Sequence, residues 1–202
     1  MMLPRALRYS IPLVCIVGSA LARDVAAQGR TAYTATVRPV VRNEKLWLEK
    51  PGRKPLLLAA GEDSQQGVSR DYPPALQPNQ RGVAFVRYVL AATNTVYSLH
   101  YVRLDGSGER SLLSGEDMEE MWNGDGGRIR WAPDGRAVLL QARVFTLGSG
   151  ESMAERRTNG RKLWLSWLVG LNGRRRLLGK SSQRPSYLWR RTSAGYQPVL
   201  GG

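Results

Sequence analysis

The sequence predicts an all-β chain built from repeated four-stranded antiparallel units, and three observations support this fold class. A proline turn recurs, because Gln77–Phe85 (QPNQRGVAF) aligns with Ala132–Leu140 (APDGRAVLL), 55 positions further on. A second turn also recurs, because Tyr101–Leu113 (YVRLDGSGERSLL) resembles Leu168–Leu178 (LVGLNGRRRLL). Finally, the segments between the turns are short apolar runs. Self-similarity at this spacing indicates a repeat architecture.

The chemistry of the two turns defines the repeated unit. In the proline turn, Pro133 fixes φ, Asp134 bonds back to the backbone and Gly135 accepts a positive φ. Asp105-Gly106 and Asn172-Gly173 lie between apolar runs, which is a strong hairpin signal. One unit therefore runs strand a, proline turn, strand b, longer loop, strand c, Asx-Gly turn, strand d.

The alignment gives the strand boundaries. The third copy is predicted at 128–132, 137–144, 162–170 and 174–178, and the second at 72–77, 83–90, 95–104 and 109–113. Strands b, c and d of a first copy are expected within Tyr33–Ala59, since Lys45–Leu58 is similar to Lys162–Leu178. Strands a and b of a last copy are expected within Ser186–Leu200, with Trp189 in the place of Trp131.

Strands b and c are nearly continuous apolar runs, as at 83–86 (VAFV), 137–140 (AVLL) and 163–169 (LWLSWLV). A strand with one face in water alternates apolar and polar residues, so continuous runs indicate sheets covered on both faces. Stacked four-stranded meanders are typical of β-propeller blades. The rival fold is a β-sandwich, which would use varied connections rather than a repeated proline turn.

The third copy resembles a known group of proteins. WAPDGR (131–136), LWL (163–165) and LNGRRRLL (171–178) resemble the blades of TolB-type, WD-like six-bladed propellers, and also the N-terminal propeller of secreted prolyl oligopeptidase-like peptidases. The second copy departs from the pattern at Asn79-Gln80 and at Gln77. The residues that carry the blade motif, all structural, are Pro78, Asp105, Gly106, Trp131, Pro133, Asp134, Gly135, Arg136, Trp164, Asn172 and Gly173.

The resemblance implies an exported, non-catalytic binding or scaffold module that interacts with a protein partner in the periplasm. The alternative it implies is the propeller of a secreted serine peptidase that lacks its catalytic domain. For the binding module we expect ligands at the long loops Leu147–Gly160 and Gly115–Gly127, whereas the peptidase propeller would gate access to a catalytic domain.

The first 29 residues predict a secretory signal peptide, followed by one propeller domain at 30–202. Arg5 and Arg8 precede an apolar run from Ile11 to Leu21, and cleavage sites follow at Ala22 and Ala27. No other run approaches membrane-spanning length, so the product is expected to be periplasmic or secreted. Cys15 lies within the signal and is the only cysteine, which excludes a disulfide scaffold and a cysteine metal site in the mature chain.

The number of blades raises a separate question. At the observed spacing the mature chain supplies about three blades, whereas a closed propeller needs about four to eight. Three explanations follow: a fragment of a longer protein, a head-to-tail homodimer in which terminal half-blades complete one another, or an open array.

Catalytic and cofactor constellations are not found in the sequence. There is no G-x-S-x-G elbow, and the one histidine, His100, lies inside an apolar strand and is expected to be packed. We predict no catalytic residue, no cofactor and no metal ligand. The acidic stretch Gly115–Gly127 is interpreted as a solvated loop, with a calcium site as the alternative, and its charge could also pair with the basic end of the chain.

The net charge of +14 is concentrated near the C-terminus. Residues 30–155 carry 16 basic and 15 acidic groups, whereas residues 156–202 carry 11 basic groups and no acidic one. This predicts loose attraction of residues 156–191 to anionic surfaces. The tryptophans in this region, Trp164, Trp167 and Trp189, are better explained as core, so no specific nucleic-acid binding is predicted. The basic set is Arg156, Arg157, Arg161, Lys162, Arg174, Arg175, Arg176, Lys180, Arg184, Arg190 and Arg191.

Overall fold

The computed structural model describes residues 37–92, 95–118, 121–145 and 162–201. The predicted signal peptide, the loop Leu147–Gly160 and the basic residues Arg156, Arg157 and Arg161 lie outside these ranges. Within them, no helix is long and apolar enough to cross a membrane. The chain is all-β, as predicted, with one short 3-10 helix at Glu116–Met118 in the described part.

The strands form three antiparallel sheets and a hairpin, all in chain order. The first sheet has the order β1-β2-β3, the second β4-β6-β7-β8 with β5 also paired to β6, and the third β12-β11-β10-β9. The bounds are β1 Arg38–Arg42, β2 Lys45–Glu49, β3 Leu56–Ala59, β4 Gln66–Val68, β5 Ala75–Leu76, β6 Gly82–Leu90, β7 Thr95–Arg103, β8 Arg110–Ser114, β9 Met121–Trp131, β10 Ala137–Phe145, β11 Lys162–Gly170, β12 Arg175–Ser181, β13 Tyr187–Thr192 and β14 Gly195–Leu200. The last two strands form the hairpin.

The predicted four-stranded meander is confirmed in the third sheet. The observed register joins Ala137 to Gly170 and Phe145 to Lys162 over the full length of β10 and β11. The part-copies also form where expected, as the three strands of the first sheet and as the hairpin β13–β14. The sheets have the strand order of propeller-like blades, and the described sheets do not close into a ring.

The two proline turns have the same backbone despite their different sequences. Gly135 has a φ of +69°, and Gln80 at the equivalent position has a φ of +53°. Asp134 Oδ1 accepts a hydrogen bond from the Arg136 N–H at 3.0 Å, and Asn79 Oδ1 accepts one from the Arg81 N–H at 3.2 Å. The side-chain cap after the proline therefore sets the turn in both copies, even where glycine is replaced.

The continuous apolar runs are explained by the stacking of the sheets. On β6, Val83 and Phe85 pack in one apolar cluster with the first sheet, whereas Ala84 and Val86 pack in a second cluster with the third sheet. Both faces of this strand are therefore removed from water. The third sheet contacts the hairpin through polar groups, since Arg130 Nη1 donates to the Tyr187 carbonyl at 2.9 Å. Gln141 Nε2 donates to the carbonyl of Pro185, just before the hairpin, at 2.7 Å.

Strand a of the second copy was predicted as one segment at 72–77, and this prediction is wrong. The strand is divided into β4, where Gly67 pairs with Tyr88, and β5, where Ala75 pairs with Ala84. Between them, Pro73 and Pro74 have no N–H to donate and cannot continue the ladder.

The prediction of an acidic loop over Gly115–Gly127 is wrong for its second half, because β9 begins at Met121. Ala142 pairs with Gly127 and Arg143 pairs with Asn123, so residues 124–126 bulge out of the ladder while the strand continues on both sides. Gly126 has a φ of +100°, a value that favours glycine, and it permits the bend.

Candidate binding groove

One end of the stack carries a groove of about 1380 Å³ that is formed by the turns. Because neighbouring strands run in opposite directions, the a–b and c–d turns of every sheet lie at the same end. The lining residues come from 77–81 and 101–110 of the second sheet, from 134–137 and 168–176 of the third, and from 194–197 of the hairpin. We call this the turn-end groove. Segments distant in sequence thus meet at one surface.

The lining of the turn-end groove is strongly basic. It contains seven arginines against two aspartates, Asp105 and Asp134. Both aspartates cap turns, since Asp105 Oδ1 accepts from the Ser107 N–H at 2.8 Å and Asp134 caps the proline turn. The backbone bond to Ser107 is the main reason that the pKa of Asp105 is lowered, which keeps it ionised. The arginines are Arg81, Arg103, Arg110, Arg136, Arg174, Arg175 and Arg176.

The repeat itself explains why these charges meet. Arg81 and Arg136 occupy the same position after their proline turns, and Arg110 and Arg174 both follow an Asx-Gly turn. Stacking the sheets brings equivalent turns side by side. The arginine that follows each proline turn, Arg81 or Arg136, therefore recurs on adjacent turns at one end of the stack.

Three of the arginines have interactions of their own. Arg175 Nη1 lies 2.6 Å from Asp117 Oδ2, and the hydrogen bond from the Ser114 N–H is the first reason that the pKa of Asp117 is lowered, followed in part by this arginine. Arg110 donates to the Leu171 carbonyl at 2.9 Å and covers the ring of Tyr101. Arg103 reaches the Ser107 hydroxyl at 3.4 Å.

The other four arginines of the groove have no such partner. In the described ranges, no carboxylate lies within ion-pair distance of Arg81, Arg136, Arg174 or Arg176, and all four are exposed. Like charges held together repel one another, and an anion in the groove would relieve that repulsion. The arrangement is thus suited to binding an anion.

Polar neutral groups complete the lining. The Oδ1 atoms of Asn79 and Asn172 accept from the backbone N–H groups of Arg81 and Arg174, which leaves each amide nitrogen as a donor beside the groove. Gln77 is buried and donates to the Gly135 carbonyl at 2.6 Å. This bond fixes the two proline turns relative to each other across the groove floor.

Several residues of the predicted blade motif have structural contacts. Trp131 is buried, and its Nε1 donates to the Ala75 carbonyl of the neighbouring sheet at 2.8 Å. Gly106 and Gly173 have positive φ in their turns, and Pro78 opens the second proline turn. Trp164 is half-buried beneath the Arg184 guanidinium. Asp134, Gly135, Arg136, Asp105 and Asn172 also line the turn-end groove.

His100 lies away from the groove, packed between the first and second sheets. Its Nε2 is 2.9 Å from the Ser98 hydroxyl and its Nδ1 is 3.1 Å from Glu109 Oε1, in an orientation unsuited to a hydrogen bond. Arg87 binds both oxygens of the same carboxylate. The histidine side chain is 16% exposed and contacts the ring of Phe85. His100 is therefore a packed residue, as expected from its strand.

The acidic stretch after β8 forms no metal site in the described part of the chain, where no three potential ligands come together. Its predicted attraction to the basic end of the chain is observed in the pair of Asp117 with Arg175. Of the basic C-terminal set, Arg174, Arg175 and Arg176 line the groove, whereas Lys162, Lys180, Arg184, Arg190 and Arg191 do not.

The comparisons with known proteins give no relative for this chain. No protein-family model matches it, and no curated protein or solved structure matches it at a significant level. The resemblance to TolB-type propellers and to peptidase propellers therefore stays a prediction from the blade motif.

Sequence reasoning expected ligands at the loops Leu147–Gly160 and Gly115–Gly127 and missed the turn-end groove. It assigned the basic character to residues 156–191, because that is where the charge is densest along the chain. Arg81 and Arg136 carry the signal that was overlooked, since they repeat at equivalent positions. A charge count for each repeat position, rather than for each segment, would have found it.

Proposed function

We propose that this chain is an exported, non-catalytic binding module that takes an anionic ligand in the turn-end groove. The observation that carries the proposal is the set of four groove arginines whose guanidinium groups have no hydrogen-bond or ion-pair partner among the described residues. The residue type also supports the proposal of an anionic ligand, because the planar guanidinium of arginine forms paired hydrogen bonds with carboxylates and phosphates.

The proposal predicts which anions bind and how tightly. Tripolyphosphate is a suitable first probe, because it carries several charges and no other recognisable group. We expect it to bind the full chain, as measured by titration calorimetry, with an affinity that falls as sodium chloride is added. Replacing Arg81, Arg136, Arg174 and Arg176 by glutamine is expected to weaken binding at least tenfold.

A matched control separates the groove from the overall charge of +14. Arg38, Arg53, Arg190 and Arg191 are exposed and do not line the groove, so their replacement by glutamine removes the same charge elsewhere. We expect this control to keep the wild-type affinity within about a factor of two. If both quadruple variants lose affinity equally, tripolyphosphate is bound by net charge and the proposal is wrong.

A further inference from the structure

We infer that the ligand of the turn-end groove is an extended acidic segment of another polypeptide. This inference rests on the proposed function and adds the chemical class of the ligand. It depends on three features of the groove: its size, the distribution of its arginines, and the neutral groups between them.

The size of the groove favours a chain over a compact anion. A volume of about 1380 Å³ exceeds the ~300–1,000 Å³ of sites that enclose small molecules. The lining extends over the second sheet, the third sheet and the hairpin. Since sheets pack roughly 10 Å apart, three layers span about 20 Å. An extended peptide of about six residues covers that distance, at roughly 3.3 Å per residue.

The arginines are distributed over this length rather than gathered at one point. Arg81 belongs to the second sheet, whereas Arg136 and Arg174 belong to two different turns of the third. A single phosphate group carries about two negative charges, too few to neutralise all four of the arginines that have no partner. Acidic side chains on alternate residues of an extended peptide project on one side about 7 Å apart, so several can each meet a different arginine.

The neutral part of the lining matches a peptide better than a nucleic acid or a lipid headgroup. Leu104, Leu168 and Leu171 are half-buried in the groove and can contact apolar side chains of a peptide. The amide nitrogens of Asn79 and Asn172 can donate to peptide carbonyls. Single-stranded nucleic acid instead needs a series of aromatic faces for base stacking, and the groove lining has two tyrosines, Tyr101 and Tyr196, of which Tyr101 already contacts the Arg110 guanidinium.

The test compares peptides with other anions on the full chain. The probe is a fluorescent ten-residue peptide that alternates glutamate with leucine and alanine, and its binding is followed by anisotropy. Two reference peptides have the same composition with all glutamates in one block, or glutamine in place of glutamate. We expect the alternating peptide to bind at least tenfold more tightly than the block peptide and than tripolyphosphate, and the glutamine peptide not to bind.

The variants locate the site and separate the two proposals. The quadruple groove variant should lose the alternating peptide, and the quadruple control variant should keep it. If tripolyphosphate binds in the groove but the alternating peptide is no tighter than the block peptide, the inference about an extended chain is wrong while the proposed function stands. If phosphatidylglycerol vesicles or an oligonucleotide bind more tightly than the alternating peptide, the inference about an extended acidic peptide is also wrong. If no anion binds, both proposals fail.

Discussion

Gln77 of the second sheet and Gly135 of the third are joined by a hydrogen bond of 2.6 Å from the glutamine Nε2 to the glycine carbonyl. Gln77 is where the second copy departs from the blade motif, which has a small residue before the proline. The departure has a structural role, because the longer side chain reaches the proline turn of the next blade. It also accepts a hydrogen bond from the Tyr101 hydroxyl at 3.3 Å.

Replacing Gln77 by alanine should destabilise the fold. The change leaves the buried Tyr101 hydroxyl and the Gly135 carbonyl without these partners, and an unsatisfied buried polar group costs about 1–3 kcal/mol. We expect the free energy of unfolding, measured with urea, to fall by about 2 kcal/mol. Gln197→Ala is the control, because Gln197 is exposed at the groove and should change stability little. Equal effects of the two substitutions would contradict the role of the bond.

Gly127→Ala should be among the most damaging single substitutions in β9. A Cβ at this position would overlap the ring of Tyr72 and lie 2.5 Å from the Gln141 carbonyl oxygen. Tyr72 is fully buried and accepts a hydrogen bond from Trp122 Nε1 at 2.6 Å, so it cannot easily move aside. Overpacking of this kind costs about 3 kcal/mol. Thermal unfolding would measure it.

The control for this substitution is Gly52→Ala. Gly52 has a φ of +68°, but a Cβ there would meet nothing within 4 Å. Alanine should therefore cost only the strain of a left-handed backbone, about 1–2 kcal/mol. A larger loss at Gly52 than at Gly127 would show that backbone conformation, and not the packing of Tyr72, limits these glycines.

Glu109 should make the stability of the fold depend on acid pH. Burial alone would raise its pKa, but the interactions with His100 and Arg87 outweigh burial and lower the pKa from 4.5 to about 2. A carboxyl group with a lowered pKa in the folded state stabilises the fold above its unfolded pKa. That contribution is lost as the pH falls from about 4.5 toward 2.

The measurement is urea unfolding at intervals from pH 7 to pH 3. Glu109→Gln should lower stability at pH 7, by about 3 kcal/mol, because Arg87 is left half-paired and largely buried. It should also flatten the decline of stability below pH 5. Glu62→Gln, at an exposed site, should leave the wild-type curve unchanged. A decline as steep in the Glu109 variant as in the wild type would assign the acid sensitivity to other carboxylates.

Asp117→Asn should strengthen anion binding in the turn-end groove. The aspartate pairs with Arg175 at 2.6 Å, and its removal leaves every groove arginine without an acidic partner among the described residues. We expect the affinity for tripolyphosphate to rise about two- to fivefold. Since the pair is near the surface, stability should change by less than about 1 kcal/mol.

Glu116→Gln tests whether that gain is local. Glu116 is exposed and adjacent in sequence, and it forms no ion pair with a described residue. Its substitution removes the same charge without releasing Arg175, and should leave the affinity within a factor of two. A gain as large as that of Asp117→Asn would mean that overall potential, rather than Arg175, sets the affinity.

The strands were predictable because each is bounded by turns whose chemistry is local. Pro133, Asp134 and Gly135 determine their turn almost without help from the rest of the chain. Gln80, at the equivalent position of the other turn, keeps a positive φ although glycine is replaced. The position of a residue in the repeat alignment therefore predicted the turn better than the residue type did. The prolines at 73 and 74 were a visible signal against one continuous strand a.

The groove was not predictable in the same way, because it depends on which turns become neighbours. Arg81 and Arg174 are far apart in sequence and meet only after the sheets stack. The same holds for Gln77, whose partner lies on another blade. Local patterns define the blades, whereas the site arises from the contacts between them.

The repeated arginine after each proline turn has a consequence for how such a surface can change over generations. Duplicating one blade would add a cationic turn and extend the row by one layer, roughly 10 Å. Deleting one blade would shorten it by the same step. The length of ligand that the groove can contact would then change in steps of one blade, while the residues that each blade contributes stayed the same.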